Sequence, residues 1–455
     1  MGAQIEHLAQ WVAETRWEDI PEAVTQHATL VLLDTLGVIL AGAEQPEVHA
    51  LRTRLGGTAG TGATVLARGW PSTDPRTAAL LNGIAGRSIE LCEGHRYVSC
   101  QGAVQIVPGV LAVGEATGRT GRDLLMALIL GYEVAVRLGA AMTPRALAHQ
   151  NGQAPLLGAV AAGARLRGLN ATETSRALRI GATLVLTPSY TNAVAGATTL
   201  NVAGGMSGFA AALAPELALA GFTAQENAIE EALSSLVGDG FEPGAMLDEL
   251  GTRWEITRNY FRLRACCNPM YAALDALEEV LAVLQPQPEA IARIDVATYQ
   301  FASVMRNPNP PNYFAAKYSL PHAAAALVVR GNAGYGSFTE AVIHDPTITA
   351  LRQRVHITAD PQLSALAPRL KPARVTVTLT DGRQATHTCE SPRGDFQHPY
   401  QETDIRAKFR ELAGVVLHAA GVPSVEQVVD RCAQWASVNE LTEVLRSVPP
   451  APSPD

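Results

Sequence analysis

The feature that most constrains the fold is the repetition of small residues at helical spacing. Two sets are spaced as on one face of a helix: Gly158, Ala162 and Gly163, and then Gly204, Gly205 and Gly208. Aromatic residues make up only 5% of the chain, so its core has to be built mainly from Ala, Val and Leu. Side chains this small let helix backbones approach closely. The sequence therefore predicts tightly packed helices, in which these glycines are packing positions and not phosphate loops.

Successive helices are predicted over the first 265 residues. Pro21 stands at a helix start, and the apolar pattern after it ends near Gly42. Asp34 lies inside this run and is interpreted as a capped or paired core carboxylate. Further helices are predicted at 107–117, 121–141, 153–167, 171–186 and 203–220.

The pattern changes after residue 285. Residues 291–300 are rich in β-branched side chains that alternate with polar ones, which predicts a strand. Residues 315–329 are predicted to form a helix. The alternation at 375–379 runs into Asp381-Gly382, a strong hairpin signal. A final pair of helices is predicted after Pro399. The fold expected from these patterns is an all-α body with an inserted α+β unit.

Several function classes are excluded by composition and motif. The net charge is −8 and no lysine- or arginine-rich run occurs, which argues against nucleic-acid binding. The six cysteines form no CxxC pair, and no nucleotide-binding glycine motif is found, so metal and nucleotide cofactors are not expected. The N-terminus lacks a signal peptide, and the apolar stretch 28–41 is judged too short to span a bilayer. These observations predict a reduced, cytoplasmic, non-membrane chain.

Seven segments, in order along the chain, resemble the MmgE/PrpD (2-methylcitrate dehydratase-like) family. They are LLDTLGVILAG (32–42), ELCEGHR (90–96), the segment beginning QGAVQIVPG (101–139), the segment beginning HQNGQAPLLG (149–170), FRLRACCNPMYAALDAL (261–277), KYSLPHAAAAL (317–327) and SPRGDFQHPYQETDIRAKF (391–409). No single segment is decisive, but the ordered set is specific. The chain is identified as a divergent member of this family.

The resemblance implies a mostly α fold with a large all-α helical domain and a smaller α+β lid domain. The all-α domain is expected at 1–268, completed by 398–455, and the lid at 269–397. It further implies a homodimer and a site in the cleft between the domains. Family activities include dehydration, decarboxylation and epimerisation of small organic acids, without a metal or organic cofactor.

Two of the segments supply the first candidate site residues. His149 matches the family's helix-start histidine and is predicted to be a general acid or base, because its ordinary pKa is near neutrality. Asn151 and Gln153 follow it and are predicted to orient a polar group of the substrate. In ELCEGHR, Glu93 is a catalytic candidate and His95 and Arg96 are substrate-binding candidates. A solvated or interdomain ion pair is the alternative for that cluster.

The chain departs from the family pattern at other positions. Gln101 stands where a catalytic histidine is expected; it can bind a substrate carbonyl or hydroxyl but cannot carry a proton near neutral pH. Arg262 replaces a family lysine and is predicted to hold an anion; with Arg264 it alternates on what is interpreted as a short strand. Tyr271 replaces a family histidine and is either a general acid or a packing aromatic.

The KYSLPH segment supplies the last three candidates. Lys317 and Ser319 are predicted to bind a substrate carboxylate near a helix start, where the helix dipole favours anions. A surface lysine is the alternative for Lys317. His322 stands where the family carries tyrosine and is a candidate for the proton-transfer capacity that Gln101 lacks.

The function predicted from these residues is a cofactor-independent lyase or isomerase. Its substrate would be a small organic acid or natural-product intermediate, and proton transfer next to a carboxylate or ketone would drive dehydration, decarboxylation, isomerisation or cyclisation. The missing histidines and lysine suggest a substrate less charged than a tricarboxylate, as in secondary metabolism. A catalytically degenerate, small-molecule-binding protein is the alternative.

Overall fold

The computed structural model describes residues 2–55, 62–95, 97, 98 and 100–452 of the chain. Helices dominate these residues. The α-helices before residue 240 are α1 (Gly2–Glu14), α2 (Glu22–Gly42), α3 (Pro46–Leu55), α4 (Pro75–Ser88), α5 (Gly102–Ala116), α6 (Gly121–Ala141), α7 (Ala154–Arg167), α8 (Ala171–Ala182), α9 (Tyr190–Val194), α10 (Val202–Leu219) and α11 (Ala228–Glu231). The later ones are α12 (Tyr271–Leu284), α13 (Gln300–Ser303), α14 (Tyr313–Ala316), α15 (Leu320–Arg330), α16 (Glu340–Ile343), α17 (Pro346–Arg352), α18 (Pro361–Ser364), α19 (Glu402–Ala413), α20 (Val422–Asp430) and α21 (Asn439–Ser447). The mostly α expectation is therefore confirmed.

The helical body is centred on α4, α5, α6, α7 and α10, which pack against one another. A Cβ atom on Gly204 would lie 2.5 Å from the backbone oxygen of Gly83, and one on Gly158 would lie 2.4 Å from that of Gly131. Such distances are shorter than van der Waals contact, so the helices touch through their backbones. The interpretation of these glycines as packing positions is confirmed.

The described residues form ten strands, four of which make one sheet in the second half of the chain. The strands are β1 (Ala63–Thr64), β2 (Ser72–Thr73), β3 (Gly94–His95), β4 (Met142–Pro144), β5 (Gly238–Phe241), β6 (Asn259–Tyr260), β7 (Ile291–Thr298), β8 (Val355–Ala359), β9 (Ala373–Leu379) and β10 (Gln384–Cys389). The sheet order is β10-β9-β7-β8, with β7 and β8 parallel and the other pairs antiparallel. Helix α12 packs against β9 and β10. The predicted strand and hairpin are confirmed, and the boundaries of the two predicted domains stay a prediction.

Several local predictions are wrong. Helix α5 begins at Gly102, five residues before the predicted start at 107, and three helices, α19, α20 and α21, follow Pro399 where a pair was predicted. The helix expected at 315–329 is two helices, α14 and α15, because Ser319 caps a new helix that has a proline in its first turn. The segment 262–264 is not a strand; the short strand β6 ends at Tyr260. Helix α8 ends at Ala182, four residues before the predicted end.

Three helical segments are long and apolar enough to cross a membrane, judged by length and composition alone. They are Glu22–Gly42, Gly121–Ala141 and Thr198–Leu219. The first has 21 residues, more than the apolar stretch 28–41 suggested. Inside the fold, 72%, 89% and 61% of their most apolar windows are buried. These helices supply much of the core of the helical body.

Candidate active site

Four buried side chains meet where α4 ends, and we call them the Glu90 cluster: Arg87, Glu90, Arg262 and Tyr318. Glu90 has φ 55°, a left-handed conformation that is uncommon for residues other than glycine. Its carboxylate lies 2.6 Å from Arg87 Nη2 and 2.6 Å from Arg262 Nη1. Tyr318 donates its hydroxyl to the same carboxylate at 2.8 Å. Each of the four residues is at most 2% exposed, so the cluster is closed to bulk water.

The cluster carries more positive than negative charge. Burial by itself would raise the pKa of the Glu90 carboxyl, but the Arg87 and Arg262 guanidiniums hold that pKa well below its ordinary value. Glu90 is therefore ionised. One carboxylate faces two guanidiniums, which leaves an excess of one positive charge inside the protein.

Lys317 adds a third cation next to the cluster. Its Nζ donates to the backbone oxygen of Ile89 at 3.2 Å and lies 5.0 Å from the ring centroid of Phe338. The residue is 2% exposed, and burial lowers the pKa of the Lys317 ammonium to about 8. Lys317 is thus still mainly protonated at neutral pH. The structure places it in the interior, so the alternative of a surface lysine is wrong.

His149 lies in the loop before α7, close enough to the cluster to feel its charges. Its Nδ1 accepts the backbone N–H of Asn151 at 3.3 Å, which leaves Nε2 as the nitrogen able to exchange a proton with a bound molecule. Burial, and after it the positive charge of Arg87, lowers the pKa of His149 to about 3. The imidazole is therefore neutral in the unliganded protein.

Tyr190 covers His149. The two rings stack with centroids 5.4 Å apart and an interplanar angle of 13°. The Tyr190 hydroxyl lies 3.2 Å from Cys267 Sγ, and its ring lies 5.1 Å from that of Phe301, which is 44% exposed. Tyr190 is itself only partly buried. Its ring therefore separates His149 and the interior from the surface.

Gln101 is connected to the loop that carries His149. Asn151 donates its side-chain amide to Gln101 Oε1 at 2.8 Å. Gln153 donates to the backbone oxygen of Leu186 at 3.5 Å, and its buried Oε1 has no hydrogen-bond partner among the described residues. Gln101 and Asn151 thus brace the histidine loop, and Gln153 lies next to it.

Glu93 and His95 are not in the Glu90 cluster. Glu93 accepts the hydroxyl of Tyr132 at 2.8 Å, and burial raises the pKa of its carboxyl to about 7. His95 Nε2 lies 3.0 Å from the carboxylate of Glu255. His95 with Glu255 thus forms the pair that the ion-pair alternative expected, although it is buried and not solvated, and Glu93 is bonded to Tyr132 instead. Arg96, predicted with them, lies outside the described residues.

Tyr271 and His322 also bond to other parts of the chain. The Tyr271 hydroxyl donates to the backbone oxygen of Arg264, as a packing aromatic would. His322 Nε2 lies 2.9 Å from the backbone oxygen of Ser337, and burial lowers the pKa of this imidazole to about 4. Ser319 caps α15 by accepting the backbone N–H of His322 at 3.1 Å. Among the described residues, none of these three side chains hydrogen-bonds to the Glu90 cluster, although the Tyr271 phenol lies close enough to Arg262 to interact with its charge.

Sequence reasoning missed most of the cluster. Only Arg262 was predicted as a site residue; Arg87, Glu90 and Tyr318 were not. One signal was present: Arg87 and Glu90 are three residues apart at the end of a helix, a spacing that brings opposite charges together.

Residues 6–238 match the MmgE/PrpD N-terminal domain, and residues 265–433 match the MmgE/PrpD C-terminal domain. The chain belongs to the MmgE/PrpD family. Within this MmgE/PrpD protein, the Glu90 cluster joins Arg87 and Glu90 from the first match to Tyr318 from the second, with Arg262 between them.

Curated relatives of this MmgE/PrpD protein carry decarboxylase names. A "Cis-aconitate decarboxylase-like protein oryM" of Aspergillus oryzae is 24% identical over 472 residues, covering 96% of each chain. The cis-aconitate decarboxylase of Aspergillus terreus is 23% identical over 470 residues, covering 96% of this chain and 95% of its own. The human cis-aconitate decarboxylase is 24% identical over 453 residues, covering 95% and 92%. The similarity thus runs the length of the chain at low identity.

No metal centre accompanies the cluster in the part of the chain that the structure describes: it contains no group of three or more His, Cys, Asp or Glu side chains that could hold an ion. Two surface hollows, of about 380 and 170 Å³, are lined by Trp11 and Trp254 and by His27 and Tyr400, respectively. Neither contains a member of the Glu90 cluster. The side chains at and next to the cluster supply buried cations, a carboxylate, phenols and an imidazole.

Proposed function

We propose that this protein is a lyase or isomerase that moves a proton next to a carboxylate of a small organic acid. Decarboxylation, the reaction in the names of its relatives, is the leading reaction type. The residues proposed to carry it are Arg87, Arg262 and Lys317 for anion binding and His149 for proton transfer. The proposal uses side chains of this chain alone, without a cofactor.

The excess of buried positive charge is the observation that carries the proposal. Arg87, Arg262 and Lys317 are cations and Glu90 is an anion, so the group has a net charge of +2. An uncompensated charge in the interior is costly. A bound anion of one or two negative charges would compensate it. This group of side chains therefore suits an organic acid far better than a neutral molecule.

Anion binding would also prepare His149 for catalysis. Burial, followed by the guanidiniums of Arg87 and Arg262, lowers its pKa to about 3. A carboxylate held between those guanidiniums offsets their charge and so raises the pKa of the imidazole toward its ordinary value. The protein would then acquire a usable acid only when substrate is present.

A balanced decarboxylation follows from this arrangement. The bond between the substrate carbon and its carboxylate breaks, CO₂ leaves, and the electron pair stays on the carbon. The remaining carboxylate, held by Arg262 and Arg87, stabilises that negative charge. His149, as the imidazolium formed when the acid binds, gives up its Nδ1 hydrogen bond from Asn151; its Nε2 proton forms the new C–H bond and the ring returns to the neutral imidazole. With Nε2 unprotonated at the start, the same imidazole would act as a base and remove a proton from the substrate in a dehydration or isomerisation.

Turnover of defined acids tests the proposal. The protein is incubated with cis-aconitate, 2-methylcitrate and citrate, and both CO₂ release and the absorbance of unsaturated acids are followed. We expect one of these acids or a less charged analogue to be converted, and His149→Asn to lower kcat by roughly 10²- to 10⁴-fold. His344→Asn, at a 75% exposed side chain, is the matched control. Undiminished activity of His149→Asn would remove the histidine from the mechanism.

The altered-substrate prediction has its own outcome. Because Gln101 replaces an expected histidine, 2-methylcitrate should be a poor substrate. Turnover of 2-methylcitrate at ordinary enzyme rates would contradict this.

A binding protein is the second candidate. It is favoured by Gln101, which cannot carry a proton and whose Oε1 is already engaged by Asn151. An acid that raises the melting temperature and is recovered chemically unchanged, for every acid tested, would support this candidate over the lyase.

A further inference from the structure

Asn201 is a buried amide that the protein leaves without partners. The residue is 1% exposed, and neither Nδ2 nor Oδ1 has a hydrogen-bond partner among the described residues. Buried side-chain amides in folded proteins are nearly always paired, so an amide with both of its groups free points to a ligand that supplies the missing bonds.

The position of Asn201 places it beside the Glu90 cluster. It directly precedes α10, one helical turn before Gly204 and Gly205, and residues at this spacing share a face of the helix. A Cβ on Gly204 would lie 2.7 Å from Arg87 Cγ and 2.5 Å from the backbone oxygen of Gly83. The two helices run antiparallel here, since Gly208 lies against Ala79 near the start of α4. Asn201 therefore lies level with the end of α4.

Two cations of the cluster also keep free donors. The Nε atoms of Arg87 and Arg262 are buried and have no hydrogen-bond partner in the part of the chain that is described. Their terminal nitrogens are engaged by Glu90, Tyr260 and Cys92. Two charged N–H donors thus meet where α4 ends, Arg87 Nε from α4 and Arg262 Nε from the segment after β6, and the Asn201 amide, which can both donate and accept, lies level with them along α4.

We infer that Asn201 selects substrates in which an uncharged hydrogen-bonding group, a carboxamide or a hydroxyl, lies beside the carboxylate held by Arg87 and Arg262. A carboxylate at Asn201 would accept from Nδ2 but leave Oδ1 unpaired and facing negative charge. A carboxamide or hydroxyl both donates and accepts, so it satisfies both atoms. This inference rests on the proposed function and narrows it from organic acids in general to acids with one carboxylate replaced by a neutral polar group.

Calorimetric titration of the full chain with succinamate and succinate tests the inference. The two molecules have the same length and differ only in one carboxamide against one carboxylate. We expect succinamate to bind at least about tenfold more tightly, since sites built around a polar contact reject analogues that leave it unpaired. In Asn201→Ala this preference should fall to within about twofold. Asn192→Ala, at an exposed asparagine ten residues before α10 begins, should keep this preference.

The outcomes separate the two proposals. Equal binding of both acids, or tighter binding of succinate, overturns the role of Asn201 while leaving anion binding at the cluster intact. Failure of both acids to bind contradicts the proposed function and the inference with it. The comparison in the unaltered protein decides the matter even if Asn201→Ala does not fold.

Discussion

Glu90 combines a left-handed backbone with a fully engaged side chain. Such a conformation costs free energy for a residue with a Cβ atom and persists only where the surroundings impose it. Here Arg87 and Arg262 bond the carboxylate, and Arg262 Nη1 also donates to the Glu90 backbone oxygen at 3.2 Å. The same contacts that position the cations thus hold the strained residue.

Removal of Arg262 should show this coupling. In Arg262→Gln the Glu90 carboxylate keeps Arg87 but loses the hydrogen bonds from Arg262 Nη1, and we expect the free energy of unfolding to fall by about 2 kcal/mol. Chemical denaturation measures the change. Arg293→Gln, which breaks an exposed pair with Asp295, should cause no measurable change. Equal effects of the two substitutions would contradict the energetic role of the cluster.

The low pKa of His149 makes stability depend on pH. Its folded-state pKa of about 3 lies below the ordinary 6.5, so between these values the unfolded chain binds more protons than the folded one. The contribution is complete above pH 6.5 and is lost as the pH falls toward 3. Between pH 6.5 and about pH 5 the loss is about 1.5 kcal/mol.

Denaturation curves across this pH window provide the measurement. His149→Gln should flatten the dependence on pH, whereas His344→Gln should leave it as in the unaltered protein. An unchanged slope in His149→Gln would show that the imidazole is not held neutral by its surroundings.

Single residues could be predicted where a local pattern determines their role. Asp34 was interpreted as a paired core carboxylate, and it lies 2.7 Å from Lys408 Nζ. The sequence could not show in the same way that Glu90 and Glu93 have different partners. Both are acids in one short segment, and only the left-handed turn after α4 directs one toward Arg262 and the other toward Tyr132.

At the scale of elements, the close contact of α4 and α10 positions the site. Glycines on both helices bring the backbones together, and Arg87 lies in α4 one turn after Gly83. A side chain added between the helices would have to push Arg87 or the backbone of α4 aside. The spacing of these helices therefore sets the position of a charged site residue.

Gly204→Ala tests this link. The added Cβ would meet the Gly83 oxygen at 2.5 Å and Arg87 Cγ at 2.7 Å, so we expect a loss of about 1–3 kcal/mol in unfolding free energy together with weaker acid binding. Gly336→Ala is the matched control, because the nearest atom to its added Cβ is 3.9 Å away on a flexible arginine. Acid binding that is unchanged in Gly204→Ala would contradict the positioning role.

Elements with strong periodicity and clear end signals were predictable. Helix α6 has the predicted bounds, and the hairpin turns at Gly382 with φ 87°. The break at Lys317–Ser319 was not predicted, because the apolar flanks continue the helical pattern, although the Ser319 cap and Pro321 are local signals for a new helix.

At the scale of the whole molecule, the two ends of the chain are joined by a buried ion pair. Asp34 in α2 pairs with Lys408 in α19, and Lys408 also donates to the backbone oxygen of Leu91 at 2.6 Å. Leu91 directly follows Glu90. The C-terminal helices therefore brace the segment that carries the site.

A double-mutant cycle measures this connection. Lys408→Met leaves Asp34 buried without its partner and should lower the unfolding free energy by about 3 kcal/mol. Asp34→Asn combined with Lys408→Met should recover a substantial part of that loss. Arg410→Met, at an exposed position of the same helix, is the control and should have a much smaller effect. Additive losses in the double variant would show that the two residues act independently.

The stacking of Tyr190 on His149 has a consequence for rate. Tyr190 lies between His149 and the exposed Phe301, so an acid that enters on this side meets the Tyr190 ring before His149, and the stack has to open and close again. Association should then be slower than a diffusion-limited encounter. The rate of substrate entry, and not the rate of the chemical step, would then limit turnover.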